Sequence, residues 1–413
     1  MSQTSVAPDA PLTIALLGYR SAPHSGGQGI YLKYLSRSLA QRGHKVTVIS
    51  GPPYPQLDPE VTLVRLPSLD LYEHGLRSIR PIQLLSRLER IEWFSKLTGG
   101  FAEPYTFGER VKRWFVGRES EFDIIHDNQT IADGILSLQH RGLPLVTTIH
   151  HPITKDYRVA LAAEPRWYMR LLIHRWHSFL RMQKRVAPQL QSVVTVSGAS
   201  ATDIGDDFNV DRAAISVMHL GVDTELFRPL PEAEREPHRL MTTASADAPL
   251  KGLAVLLRAI ASLRSSYADI RLTLVGRPKP GGDTENLIAS LGLGDVVESC
   301  KGISHEEMVQ KYASASVAVV PSIYEGFGCQ PLRQWHAVCR WCPRMEALSL
   351  KWLRMPVWSF PQVIARRSRL PFANCLRMTS FETTMPLAAY RERSNIFVGI
   401  AVLNEWKLIT GSA

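Results

Sequence analysis

Glu325 stands in "PSIYEGFG", residues 321–328, just past an apolar run and ahead of a glycine-flanked phenylalanine. A carboxylate there accepts hydrogen bonds from hydroxyls, and Gly326 and Gly328 beside Phe327 allow a ligand close to the backbone. Lys251, in "APLKGLAVLL", opens a helical pattern. A cation at that end opposes the helix dipole unless a bound anion such as a diphosphate neutralises it; a solvated surface lysine is the alternative. "SGGQG" sets Gly26, Gly27 and Gly29 between an apolar run and a helix. Backbone amides and the dipole hold phosphates in that setting, although the same glycines also make a plain tight turn. "VTTIHHPI" carries His150 and His151 past a strand pattern, at the edge where parallel sheets place ligands.

Other chemistry is excluded by what is missing. The glycines do not form G-x-G-x-x-G, and the second strand pattern ends on Ser50 and Gly51 rather than on a ribose-binding acid, which disfavours hydride transfer. His126 and Asp127 in "IIHDNQT" lack metal-ligand spacing, and Asp206 and Asp207 in "GDDF" read as a solvated turn, so no metal is expected.

These residues punctuate two strand–helix series. "LTIALLGY", "HKVTVIS", "DIIHD", "LPLVTTIHH" and "SVVTVS" are short apolar runs of the kind buried on both faces of a parallel sheet. A helix, "IYLKYLSRSLAQRG", follows the first, with Tyr31, Tyr34, Leu35 and Leu39 on one face and Gly43 placed to end it. The second series runs "RLMTTAS", "KGLAVLLRAIASLRSSY", "IRLTLVG", "TENLIASLG", "VVESCKG", "SHEEMVQKYASA", "SVAVVPS". A proline- and charge-rich linker at 221–239 joins them, so the expectation is α/β: two Rossmann-like doubly wound domains facing a cleft. No apolar run is long enough to span a bilayer, and no basic n-region precedes "LTIALLG". Cys300 is the only cysteine before residue 329, which fits a reducing cytoplasm. Residues 166–186, "RWYMRLLIHRWHSFLRMQKRV", mix basic and large apolar residues at helical spacing. They read either as a peripheral membrane contact or as an ordinary helix with a solvated basic face.

"SGGQGIYLKYL", "DIIHDNQT", "VTTIHHP", "VTVSGASATDI", "HLGVDTELFRP", "LKGLAVLLRAI", "LTLVG" and "VVPSIYEGFG" occur in an order that resembles the family 4 (group 1) retaining glycosyltransferases of the GT-B fold. The resemblance covers roughly residues 11–328. It implies sugar transfer from a nucleoside-diphosphate sugar, which is donor substrate rather than cofactor, to an acceptor that is a glycan, a lipid or a small metabolite. His150 would lie near the transferred sugar, the Gly26–Gly27 loop and Lys251 would approach the diphosphate, and Glu325 would open an E-x7-E motif gripping the donor. An epimerase-like GT-B enzyme and a non-catalytic binding remnant are the alternatives. Two departures stand out: no arginine precedes Lys251 in "TTASADAPLKG", leaving Arg277 or Lys279 as substitutes, and the second motif acid is replaced by Arg333.

After Gly328 the composition changes. Only Gly399 and Gly411 of the 27 glycines follow it, with four of the five cysteines. Of the formal charge of +10, +8 falls in these residues, so the body is near neutral and the basic balance does not point to nucleic acid. Reading the codons one base earlier makes "CQPLRQ" compatible with "LPAAEA" and "WHAVCRWC" with "MACGVPVV", the continuation usual in the family. The expected domains are therefore 1–228 (acceptor), 229–328 (nucleotide-sugar binding, truncated) and 329–413 (an out-of-frame tail). A divergent basic tail that binds a membrane or partner is the alternative.

Overall fold

The computed structural model describes residues 10–23, 27–76, 79–243 apart from 222, 224, 229 and 231, and 251–321. The chain divides into two compact units at His219/Leu220.

The first unit is built on seven parallel strands: β1 (Thr13–Gly18), β2 (Lys45–Ser50), β3 (Thr62–Arg65), β4 (Ile124–Asn128), β5 (Leu145–Thr148), β6 (Val193–Thr195) and β7 (Ile215–Val217), in the order β3-β2-β1-β4-β5-β6-β7. The order reverses between β1 and β4, so loops leaving those two strands diverge and open a crevice at the carboxyl edge. Side-chain alternation explains why β1 is continuously apolar: Ala15 and Leu17 face a core with Phe107, Phe115 and Ile135, while Ile14 and Leu16 face another with Leu32, Leu35 and Leu39. β3 and β7 were not singled out in the sequence, because each is a short edge strand without a fully buried run.

The second unit holds β8 (Glu236–Thr243), β9 (Arg271–Val275), β10 (Val297–Cys300) and β11 (Ala315–Ala318), all parallel, in the order β10-β9-β8-β11. Its crossover helices Leu253–Leu263, Asp283–Ser290 and His305–Ser314 match the sequence reading. Leu256, Leu257 and Ile260 pack on Leu240, Leu272 and Leu274 from one face. Val309 and Tyr312 pack on Met241 and Ala318 from the other. Here the strand order reverses between β8 and β11, the strands followed by the Lys251 loop and by "SIYEGFG".

Candidate active site

Register places a polar cluster at the crevice of the first unit. Asn128 pairs with Thr148 across β4 and β5, and residues two apart share a face, so His126 and Asn128 on one strand meet Thr148 and His150 on the other. His126 Nε2 lies 2.7 Å from Thr148 Oγ1, and Tyr31 Oη lies 3.3 Å from that same oxygen. The Tyr31 ring stands edge-on to His150 with centroids 4.8 Å apart.

His150 is held at both ends. Its backbone amide donates to Gln129 Oε1 at 2.9 Å, and its Nε2 is 2.8 Å from Asn128 Oδ1. Asn128 Nδ2 donates to the Gln28 carbonyl at 3.2 Å, which fixes which way the amide points. An amide oxygen only accepts, so the network assigns the proton of His150 to Nε2 and the lone pair to Nδ1. Burial, with help from His151 and His126, pushes the His150 imidazole down to about 3, so it is neutral at physiological pH. Burial likewise lowers His126 to about 4 and raises Tyr31 to about 12.

Asp127 supports this arrangement from beneath. It is fully buried, and its carboxylate accepts from the amides of Thr130 (3.3 Å) and Ile131 (3.2 Å); burial lifts it to about 6. Those bonds brace a turn in which Gln129 and Ile131 take positive φ, 58° and 50°. A β-branched residue rarely adopts that conformation, and such strain is held only where surrounding contacts over-determine it. The turn puts Gln129 under His150. Asp127 and His126 therefore carry the His150 loop and its neighbouring hydroxyls.

The glycine stretch differs from its sequence reading. The helix begins at Gly27, so Gly27 and Gly29 belong to its first turn rather than to a loop ahead of it. A Cβ on Gly29 would lie 2.2 Å from the Ala22 carbonyl, so this glycine serves contact between helix and loop. Gly27 has open space around it, and its amide is among those a helix leaves unsatisfied at its start. Tyr31 packs against the Leu32, Leu35 and Leu39 cluster, as its helical spacing predicts, and its ring also meets His150. One further expectation changes. Asp206 and Asp207 lie in the last turn of the helix Gly198–Phe208 rather than in a free turn, and Asp207 bonds Thr154 and Arg158. His151 lies 3.4 Å from Asp156.

In the second unit Lys251 is half-buried and precedes Gly252, which caps the helix Leu253–Leu263 at φ 63°. A Cβ on Gly252 would fall 2.0 Å from the Pro321 carbonyl, so only glycine lets the Lys251 turn approach the chain leaving β11. Gly26, Glu325, Gly326, Phe327, Gly328 and residues 329–413 lie outside the described residues. Asn128 and Gln129 were visible in the sequence only as part of "DIIHDNQT"; strand register is the signal that joins them to His150.

The family model for Glycosyltransferase Family 4 matches residues 25–226, and that for Glycosyl transferases group 1 matches 228–332. An MMP α-(1→4)-mannosyltransferase of Mycolicibacterium hassiacum is 48% identical over 319 residues, which is 76% of this chain and 77% of that protein. A D-inositol 3-phosphate glycosyltransferase of Thermobispora bispora is 27% identical, covering 74% of this chain and 70% of its own length. Across eight curated relatives the matched share of this chain stays between 74% and 78%. Among solved structures, Anabaena HepE in complex with UDP-glucose superposes with a TM-score of 0.61 at 13% identity, over 97% of this chain and 95% of that one.

Proposed function

The chain belongs to the family 4, group 1 glycosyltransferases of the GT-B fold, and on that premise we propose that it moves a mannosyl unit from a nucleoside-diphosphate sugar to an acceptor hydroxyl, with retention. The observation that carries this reading is His150, neutral and locked in one tautomer at the carboxyl edge beside the β1/β4 crevice. Its Nδ1 lone pair accepts a hydroxyl of the transferred sugar, a role a protonated imidazole would not fill. Mannose and the α-(1→4) bond follow the 48% identical relative, and a nucleotide-sugar donor follows the HepE complex. The amides at Gly26 and Gly27 and the Lys251 ammonium would offset charge on the departing diphosphate. Glu325, with Gly326, Phe327 and Gly328, would receive the donor's hydroxyls. The test is a panel of nucleoside-diphosphate sugars with and without α-mannosides: nucleoside diphosphate released only when both partners are present supports transfer. Release without acceptor favours the epimerase-like class instead, and no release favours a binding remnant.

Residues 329–413 are, in the same proposal, an out-of-frame translation that impairs the enzyme. The group 1 match stops at residue 332, four residues past Gly328, and Arg333 occupies the place of the second donor-binding acid. Sequencing the gene across codons 328 and 329 tests this; an alternative frame that encodes nothing family-like would overturn it.

Peripheral membrane contact through 166–186 is supported by the helix Trp167–Trp176, which buries no residue. Trp167, Tyr168, Leu171 and Leu172 are exposed on it, and Arg166 and Arg170 lie among them. That pattern suits an anionic lipid surface at the inner face of the membrane. Co-sedimentation with anionic but not neutral vesicles, lost in Trp167→Ala/Leu171→Ala, is the expected result. No helix among the described residues is long and apolar enough to cross a membrane.

A further inference from the structure

β4 and β5 pair as far as Asn128 and Thr148, and there the ladder ends. Ile149 is still held by β6: its amide donates to the Val194 carbonyl at 2.8 Å, and its carbonyl accepts from Thr195 Oγ1 at 2.7 Å. For the next two residues a side chain takes over. Gln129 Oε1 accepts from the His150 amide at 2.9 Å, and Gln129 Nε2 donates to the His151 carbonyl at 3.2 Å. A primary amide carries acceptor and donor in one rigid plane, so bonds to two consecutive residues fix the rotation of the loop as well as its position. A single bond would leave a pivot.

The clamp is itself anchored. Gln129 is 3% exposed, and its φ of 58° is a conformation that glycine or asparagine adopts more easily. Glycine would relieve that backbone but supply no amide, and asparagine would suit it with a side chain one methylene shorter. Strain that persists where relief is available marks a side chain with a task. Two contacts keep the turn from relaxing. The Asp127 carboxylate accepts from the amides of Thr130 and Ile131, and Gln183, on the helix Leu180–Val186, donates from Nε2 to the Thr130 carbonyl at 3.3 Å.

We propose that Gln129 is a positioning residue for His150: its amide clamps the His150–His151 backbone and so keeps the imidazole between Asn128 and the Tyr31 ring. The inference rests on the transfer reading above for the use His150 is put to, though not for the placement itself. A hydrogen bond to a reacting sugar depends on a partner fixed before the sugar arrives. Freed from the clamp, the loop turns the ring toward water. Burial is the main cause of its neutrality, and Tyr31, His126 and His151 around it carry no negative charge near neutral pH. A ring that reaches water therefore titrates near the ordinary value of about 6.5.

The test follows deuterium uptake at the imidazole C2 position of each histidine, by mass spectrometry, on the full 413-residue chain. That rate breaks at the pKa of the ring and is read from about pH 5 to about pH 8. In the parent chain neither His150 nor His126 shows a break. Gln129→Met keeps the side chain's length and removes both bonds; His150 gains a break near about 6.5 while His126 stays silent. Gln129→Asn, which suits the left-handed backbone and falls short of one bond, gives the same result and carries the test where the first variant does not fold. Gln183→Met removes a buried bond to the same turn and leaves His150 silent. A break at His150 in the parent chain, or none in either Gln129 variant, would overturn the proposal. Breaks gained by His126 and His150 together, or an equal His150 break in Gln183→Met, would overturn it too, since each marks general loosening. Turnover is not the readout, so a freed His150 in a chain that transfers no sugar keeps the clamp and discards the transfer reading. Transfer by a chain whose His150 stays silent in both Gln129 variants does the reverse.

Discussion

A histidine held neutral by its surroundings behaves differently from one that merely happens to lie in a cleft, and the difference is measurable at His150. If its Nδ1 receives the transferred sugar, His150→Ala lowers kcat/KM by roughly 100-fold, the loss typical of one preorganised hydrogen bond. Donor affinity changes little, since the donor's nucleotide is assigned to the other unit. Equal loss in both parameters would make His150 a structural residue. The pH profile of kcat/KM shows no break near 6.5 from His150, because that imidazole titrates at about 3. Stability carries the complementary signature. His126 falls to about 4 when folded, so the unfolded chain binds the extra proton between pH 6.5 and 4 and stability is lost as pH falls through that window. His126→Gln flattens the slope by on the order of 2 kcal/mol between pH 7 and pH 5, read by chemical denaturation at each pH. Asp127 works in the opposite direction: raised to about 6, it makes stability fall as pH rises from about 4. His150 was legible in the sequence because it follows an apolar run. Its partners Asn128 and Gln129 were not, since nothing in "DIIHDNQT" tells which strand will lie beside β4.

At the scale of elements, the strands buried on both faces announce themselves as continuous apolar runs. β3 and β7 do not, since an edge strand can be half-exposed and short. The glycines show the limit of motif reading most clearly. Gly29 looks like a ligand-approach residue, yet in the structure it lets one stretch of backbone lie against another, as does Gly252, which the sequence did not single out. Gly252→Ala meets both a left-handed φ and the Pro321 carbonyl, so it destabilises the second unit by more than about 1 kcal/mol. A thermal melt with the wild-type midpoint would show that the Pro321 approach is not a fixed feature. The exposed aromatic face of Trp167–Trp176 was read from composition as one of two alternatives, and only the absence of any buried residue favours the membrane-facing one.

For the whole molecule, the two-unit α/β organisation was readable from the alternation of strand and helix signals, and the two family models divide the chain in the same region. Restoring the reading frame after Gly328 should convert an aggregation-prone chain into a soluble donor-binding one, seen as a melting temperature that rises with nucleoside-diphosphate sugar. In that restored chain Glu325→Gln should cut turnover strongly while leaving the melting temperature in place. The central claim is retaining transfer, and the most direct measurement follows nucleoside-diphosphate release by the restored chain with and without a mannoside acceptor, with the product's anomeric configuration read by NMR. Release is expected only with acceptor, and an α-linked donor gives an α-linked product. Acceptor-independent release, or a β-linked product, would contradict it.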